Sequence, residues 1–264
     1  MIIFLGYLAS ILMGLILGLL GAGGSILTMP ILVYCFSMPA FEATTYSLMI
    51  VGVTAMIGAI GYYRKNLVDL RSAIIFAIPA GACVILTRTF ILKNLPESIL
   101  GVSKDNILML AFALLMIFAA FSMLRSKKIV TENVKNQNPN LLKLISGSSL
   151  IGLLTGFVGV GGGFLIVPTL IGLFGLDAKK AIGTSLVVIA ANSLIGFKSD
   201  LILGSDLDWM FLTIFCLLTA SGMIAGIRLG RNFDNQQLKK LFTYLVIVIA
   251  LLIFSQTLQQ MLNS

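Results

Sequence analysis

Of the first 63 residues only Glu42 carries a charge, and the first basic side chain is Arg64. A stretch that long without ionic groups cannot be the surface of a water-soluble fold, which must present polar groups to solvent. It can lie in lipid, where roughly 20 apolar residues in a helix cross the hydrocarbon layer. The remainder follows suit. Of 264 residues, 58% are hydrophobic and 11% charged, against about a quarter charged in soluble domains. The fold class this dictates is an all-α integral membrane protein, with the bilayer as its first partner. With no cation before Arg64, the N-terminus lacks the positive flank of a cleaved signal peptide and reads as a retained membrane segment. The net charge of +8 is read as cytoplasmic Lys and Arg, not as a nucleic-acid surface.

Single spans are predicted near 43–63, 72–92, 106–124, 181–198, 209–227 and 241–261. Two further apolar stretches, 2–36 and 144–176, are long for one span, short for two, and broken by glycines. Short loops rich in Lys and Arg stay in the cytoplasm. That rule places 64–71, 125–143 and 228–240 inside, and the acidic loop 198–208 outside. Stretch 144–176 then begins and ends inside as a hairpin, and by analogy 2–36 begins and ends outside, so the N-terminus is expected outside. Inner loops hold 14 basic and 4 acidic residues in this arrangement, and outer loops 4 and 6.

The chain repeats itself at an offset of 138 residues. Gly14, Gly18, Gly21, Gly23, Gly24 and Pro30 align with Gly152, Gly156, Gly159, Gly161, Gly162 and Pro168. Ala43, Ser47, Leu48 and Gly58 align with Ala181, Ser185, Leu186 and Gly196 without a gap. The match fades beyond about residue 80, and the first half carries extra residues around 94–103. Each half is one hairpin plus three spans, and an odd number of crossings inverts the second half. The expected architecture is a polytopic helical bundle of two inverted-topology repeats, 1–124 and 144–264, joined by a cytoplasmic linker, 125–143. Such repeats are a common construction of secondary transporters, with the site near the midplane.

The glycine clusters have two readings. Gly14, Gly18 and Gly21, like Gly152, Gly156 and Gly159, share a helix face and suit close helix packing. The runs Gly23-Gly24-Ser25 and Gly161-Gly162-Gly163 suit a helix break instead, since consecutive glycines weaken a helix. A helix restarting inside the membrane aims free N–H groups and a positive dipole end at an anion. A nucleotide loop would need a strand before it and an acid after it, which this sequence does not supply. Hydroxyl and amide groups follow each break: Thr45 and Ser47 in the first half, Thr184, Ser185 and Asn192 in the second. They suit an oxyanion as hydrogen-bond donors, or interhelical hydrogen bonding. Gly23, Gly24, Ser25, Thr45, Ser47, Gly161, Gly162, Gly163, Thr184, Ser185 and Asn192 are therefore the candidate substrate ligands.

Other chemistry finds little support. The chain has no His, and Cys35, Cys83 and Cys216 stand alone in apolar runs as packing residues. No metal or cofactor is expected, nor an enzyme, because no nucleophile has a credible base. All ten carboxylates fall in predicted loops or at segment ends, which counts against a buried proton relay. Arg88 is read as snorkelling to the outer interface, with recruitment of anions as the other reading. Self-association is left open.

The paired motifs Gly-x-x-Gly-x-Gly-Gly-[Ser/Gly]-x-x-x-x-Pro at 18–30 and 156–168, with Ala-x-x-x-Ser-Leu at 43–48 and 181–186, resemble the TauE/SafE sulfite exporter family. The resemblance implies a permease of a bacterial cytoplasmic membrane for sulfite or small organosulfur and sulfonate anions, often as an exporter. The alternative that composition permits is a passive anion channel. The first half departs from the second: Ser25 stands for a third glycine, and Thr45-Tyr46-Ser47 for Gly183-Thr184-Ser185.

Overall fold

In lipid every backbone N–H and C=O must be bonded within its own segment, so the apolar runs become helices. The computed structural model describes residues 2–21, 24–92, 94, 96, 98–99, 102–125, 141–204, 207–229, 244 and 247–257. Six of the described helices are long and apolar enough to cross a bilayer, and the protein is a multi-pass membrane protein. They are α1 (Ile2–Leu20), α3 (Ala40–Tyr63), α4 (Leu70–Leu86, continued as a π-helical turn Thr87–Leu92), α6 (Leu141–Val158), α8 (Ala178–Ile202) and α9 (Trp209–Leu229). Between them lie the shorter α2 (Ser25–Pro30, continued as a π-helical turn Ile31–Cys35), α5 (Lys104–Arg125) and α7 (Gly163–Gly172). A last helix, α10, covers Ile247–Thr257. Most of the linker (126–140), the loop 230–240 and the rest of the span expected at 241–261 lie outside the described residues. In the first half's extra segment, β1 (Ser98–Ile99) pairs antiparallel with β2 (Val102–Ser103).

Both expected hairpins are present, and both are unequal. One arm is of full crossing length, 19 residues in α1 and 18 in α6. The return arm is about half as long, 11 residues at Ser25–Cys35 and 10 in α7. The second arm does not start at the end of the first. Gly24 packs against Met13 and Leu17, and Gly162 against Thr155, inside the long arm's last two turns. Each half-helix therefore begins at depth and carries a proline six residues in, Pro30 or Pro168.

The halves are held by matching contacts. Gly14 lies against the carbonyl of Thr219, and Gly18 against that of Met223, so α1 and α9 run parallel at backbone contact. Gly152 meets the Ala80 carbonyl and Gly156 meets Val84, so α6 and α4 do the same. Between these pairs, α3 and α8 cross antiparallel: Gly52 touches Ser193 and Leu194, Gly58 reaches Leu186, and Gly196 reaches Leu48. α3 and its counterpart α8 thus run in opposite directions. The small residues permit this approach, since helices in lipid associate through close packing and not through the hydrophobic effect. A Cβ at Gly14 or Gly152 would overlap the facing carbonyl. Gly14→Ala and Gly152→Ala should each destabilise by about 1–3 kcal/mol. Thermal unfolding in detergent reads this as a drop in Tm, and an unchanged Tm in both would remove the close-contact account.

Candidate functional site

The polar groups gather in two layers along α4 and α8. The first surrounds the second helix break. The chain leaves α6 through Gly159, Gly161 and Gly162, at φ of 72°, 70° and 62°, a region open to glycine and strained for other residues. α7 restarts at Gly163, and Leu165 and Ile166 donate back to the Gly162 carbonyl. The earliest N–H groups of such a helix have no partner within it. Thr155 faces Gly162, and the Ser193 hydroxyl lies 2.8 Å from where a Cβ at Gly161 would stand. Asn192, the preceding residue, holds its amide oxygen 3.4 Å from the corresponding point at Gly81 on α4. Ser47 sits one helical turn before Val51, which also packs against Gly161. Ser47 Oγ, Thr155 Oγ1, Ser193 Oγ and both amide atoms of Asn192 are buried with no hydrogen-bond partner among the described residues. Buried polar groups are almost always bonded, so this concentration around one turn calls for an explanation. The void beside Thr155 and Gly162 measures only about 10 Å³, too small for an anion in this conformation.

The first break differs. Gly24 is right-handed (φ −66°), and Ser25 is fully buried at the start of α2, where Thr28 Oγ1 donates to its carbonyl at 3.0 Å. Gly23 lies outside the described residues. The hydroxyls expected nearby are engaged. Ser185 donates to the Gly21 carbonyl at 3.1 Å, and Thr184 accepts from the Asp69 amide at 2.9 Å. At the position matching Asn192, Thr54 meets Thr219 hydroxyl to hydroxyl at 2.8 Å. Of the candidate ligands, the structure sets Gly161 and Gly162 beside Ser193 and Thr155, with Ser47 one turn before Val51, while Asn192, next to Ser193 in the chain, turns its amide oxygen toward Gly81 on α4. Thr184 and Ser185 bind other parts of the fold.

The second layer lies eight residues along α8, about 12 Å away at 1.5 Å per residue. Here the structure corrects two expectations. Arg88 does not snorkel: it is 1% exposed. Asp200 is not in a loop, because α8 continues to Ile202 and leaves it 4% exposed. The two form an ion pair, Arg88 Nη1 to Asp200 Oδ2, at 2.5 Å. Thr45 Oγ1 donates to the same oxygen at 2.8 Å. A snorkelling arginine needs a route for its stem to the interface. Here the π-helical turn Thr87–Leu92 re-aims the side chain into the bundle, as such turns often do at functional sites. Its Nε and Nη2 have no partner among the described residues, and Nη2 faces Gly159, the first residue of the break.

This layer opens to a cavity of about 470 Å³, lined by Glu42, Thr45, Tyr46, Arg88, Lys104 and Asp200 among others. Its walls are tied by side chains at helix ends. Asp105 accepts from the Phe41 amide at 3.0 Å, and Lys104 donates to the Leu92 carbonyl at 2.8 Å, each complementing a helix dipole. The Tyr46 hydroxyl accepts from the Asp208 amide at 2.7 Å, closing the loop after α8. The matching positions in the other half are Gly226, Tyr62 and Gly183 in place of Arg88, Asp200 and Thr45. Gly183 is packed against the Leu67 carbonyl and Tyr62 donates to the Gly18 carbonyl at 3.2 Å. The charged layer thus belongs to one end of the bundle.

Asp200 was absent from the sequence-derived candidates, and Arg88 stood outside the candidate ligands, with recruitment of anions only as its second reading. The readable signal was an arginine flanked by Thr87 and Thr89 inside an apolar run, and an aspartate followed by Leu201, Ile202 and Leu203, which extends the helix past it. Thr155 stands where the first half has Leu17, a polar residue placed just before the break.

Residues 6–253 match the family described as Sulfite exporter TauE/SafE. A "Probable membrane transporter protein" of Xylella fastidiosa (strain 9a5c) is 32% identical over 253 residues, covering 91% of this chain and 90% of the relative. One from Haemophilus influenzae is 28% identical over 268 residues, covering 96% and 98%. YunE of Bacillus subtilis (strain 168), a "Probable membrane transporter protein", is 23% identical over 290 residues, covering 97% and 98%. No solved structure matches the chain.

Proposed function

The chain belongs to the TauE/SafE sulfite exporter family of membrane transporters, and from that premise we propose that it is a secondary carrier for a small sulfur oxyanion, sulfite or a related organosulfonate, working as an exporter in the cytoplasmic membrane. The observation that carries this reading is a set of buried polar side chains with no partner among the described residues: Thr155 and Ser193 against Gly161–Gly162, Asn192 next to Ser193 on α8, and Ser47 one turn before Val51. Their number and neutrality suit an oxyanion that must bind and leave. The start of α7 adds N–H groups and the positive end of a helix dipole. In this reading repeats 1–124 and 144–264 rock against each other and open the space beside Gly161–Gly162 to one side at a time. The antiparallel crossing of α3 and α8 supports the inverted arrangement. With the N-terminus outside, the charged cavity faces the outer side, with Arg88 and Lys104 in its lining.

The test is labelled sulfite flux into proteoliposomes, with Asn192→Leu as the diagnostic variant. Leucine is close in size and needs no hydrogen bond, so removing an unpartnered buried amide should leave stability unchanged or raised by up to about 1 kcal/mol. Flux should fall to background. Normal flux in the variant would remove the midplane site, and large unitary currents in place of saturable counterflow would favour a channel.

A further inference from the structure

Among the described residues, the lining of the charged cavity carries two cations, Arg88 and Lys104, and two carboxylates, Glu42 and Asp200. An anion entering it meets no net attraction and would leave an uncompensated negative charge beside the buried pair. That is costly where the effective dielectric is low. The Arg88 guanidinium nevertheless keeps unused donors, which become a seat once their packing against Gly159 opens. Arg88 uses Nη1 for Asp200, while Nε and Nη2, fully buried, have no partner among the described residues. A guanidinium fork of this kind fits an oxyanion bidentately.

We propose that Arg88 and Asp200 form a joint anion-and-proton site: a sulfur oxyanion docks on Nε and Nη2 of Arg88 while Asp200 takes a proton from the cavity water, so that anion and proton move together. The inference rests on the carrier reading above and deepens it by naming the coupled ion. Each step balances. The carboxylate becomes a carboxylic acid, no bond of the anion breaks and nothing is oxidised. Arg88 and Thr45 both contact Oδ2 of Asp200, so Oδ1 is the oxygen neither uses and the one to receive the proton. Thr45 suits both states, since a hydroxyl can donate to a carboxylate or accept from an acid. Asp200 is the buried carboxylate of the two, whereas Glu42 is exposed. Among the described residues, Asp200 is in contact with Arg88 from the π-helical turn after α4 and Thr45 from α3, and shares the cavity lining with Tyr46 and Glu42 of α3 and Lys104 at the start of α5. Lys198 on its own helix is exposed. Lys104 is held at the Leu92 carbonyl and over the Phe41 ring, so Arg88 is the cation an anion shares with Asp200.

The test is calorimetric titration of the purified full-length protein with thiosulfate, which brings no proton of its own near neutral pH. Two buffers of different ionisation enthalpy report the protons taken up. About one proton per anion is expected, with affinity falling up to about tenfold per pH unit as pH rises. In Arg88→Met/Asp200→Asn, which removes both charges together, uptake should vanish and affinity fall by about tenfold or more. Thiosulfate binding without proton uptake, or uptake that persists in the double variant, would overturn the coupling and leave the carrier reading in place. Absence of binding by thiosulfate, sulfite and methanesulfonate alike would overturn both.

Discussion

Arg88→Met alone is expected to destabilise the protein by about 3–5 kcal/mol, and adding Asp200→Asn to it should restore most of that loss. The reasoning turns on what each change leaves behind. Arg88 is 1% exposed and its partner 4%, so removing the guanidinium strands a carboxylate that neither solvent nor a second cation can stabilise. Lys104 is committed to the Leu92 carbonyl at 2.8 Å. The double variant leaves no buried charge, and the amide oxygen that takes the place of the carboxylate can still accept from Thr45. Replacing a whole buried ion pair by neutral groups is often harmless to stability, whereas breaking one is not. Anion flux, however, should stay at background in both variants, because the cation at the cavity floor is gone in each. Thermal unfolding in detergent, set beside proteoliposome flux, separates the two effects. If Arg88→Met were as stable as the parent, the pair would not be buried as described. If the double variant transported normally, Arg88 would have no part in the pathway.

The contrast between the two layers shows what the sequence could reveal. The helix breaks were legible because consecutive glycines have few other uses in a span, and the offset of 138 residues marked both copies. The unequal arms were harder to see, since a half-length helix and a short span have the same composition. Their difference lies in where Gly24 and Gly162 pack, beside Leu17 and Thr155. The polar ligands were half legible. Ser185 and Asn192 look alike as candidates, yet Ser185 is consumed by the Gly21 carbonyl and Asn192 has no partner among the described residues. Only the packing decides which donor is already spent. Asp200 was misplaced for a simple reason: three aspartates within nine residues, Asp200, Asp206 and Asp208, read as an acidic loop. The helix runs on to Ile202, and Asp200 within it is paired with an arginine 112 positions away, a pairing that no local pattern announces.

Gly161→Leu is expected to reduce transport to background while leaving membrane insertion intact. Two effects combine at this position. The backbone stands at φ +70°, where a residue with a Cβ is strained by about 1–2 kcal/mol. The Cβ itself would stand 2.8 Å from both Ser193 Oγ and Val51 Cγ1, and the rest of the leucine would drive α7 away from α3 and α8. That displaces the N–H groups at the start of α7 from Thr155 and Ser193, the side chains with which they would share an anion. Insertion is set by the long apolar helices and the flanking cations, none of which changes. Gly172→Ala is the matched control. It lies at the far end of the same helix with nothing within 4 Å of its would-be Cβ, so flux and Tm should equal those of the parent. Cysteine-accessibility mapping of inserted protein, beside flux, decides the matter. Normal flux in correctly inserted Gly161→Leu would mean that the second helix break is packing architecture and that the anion crosses elsewhere.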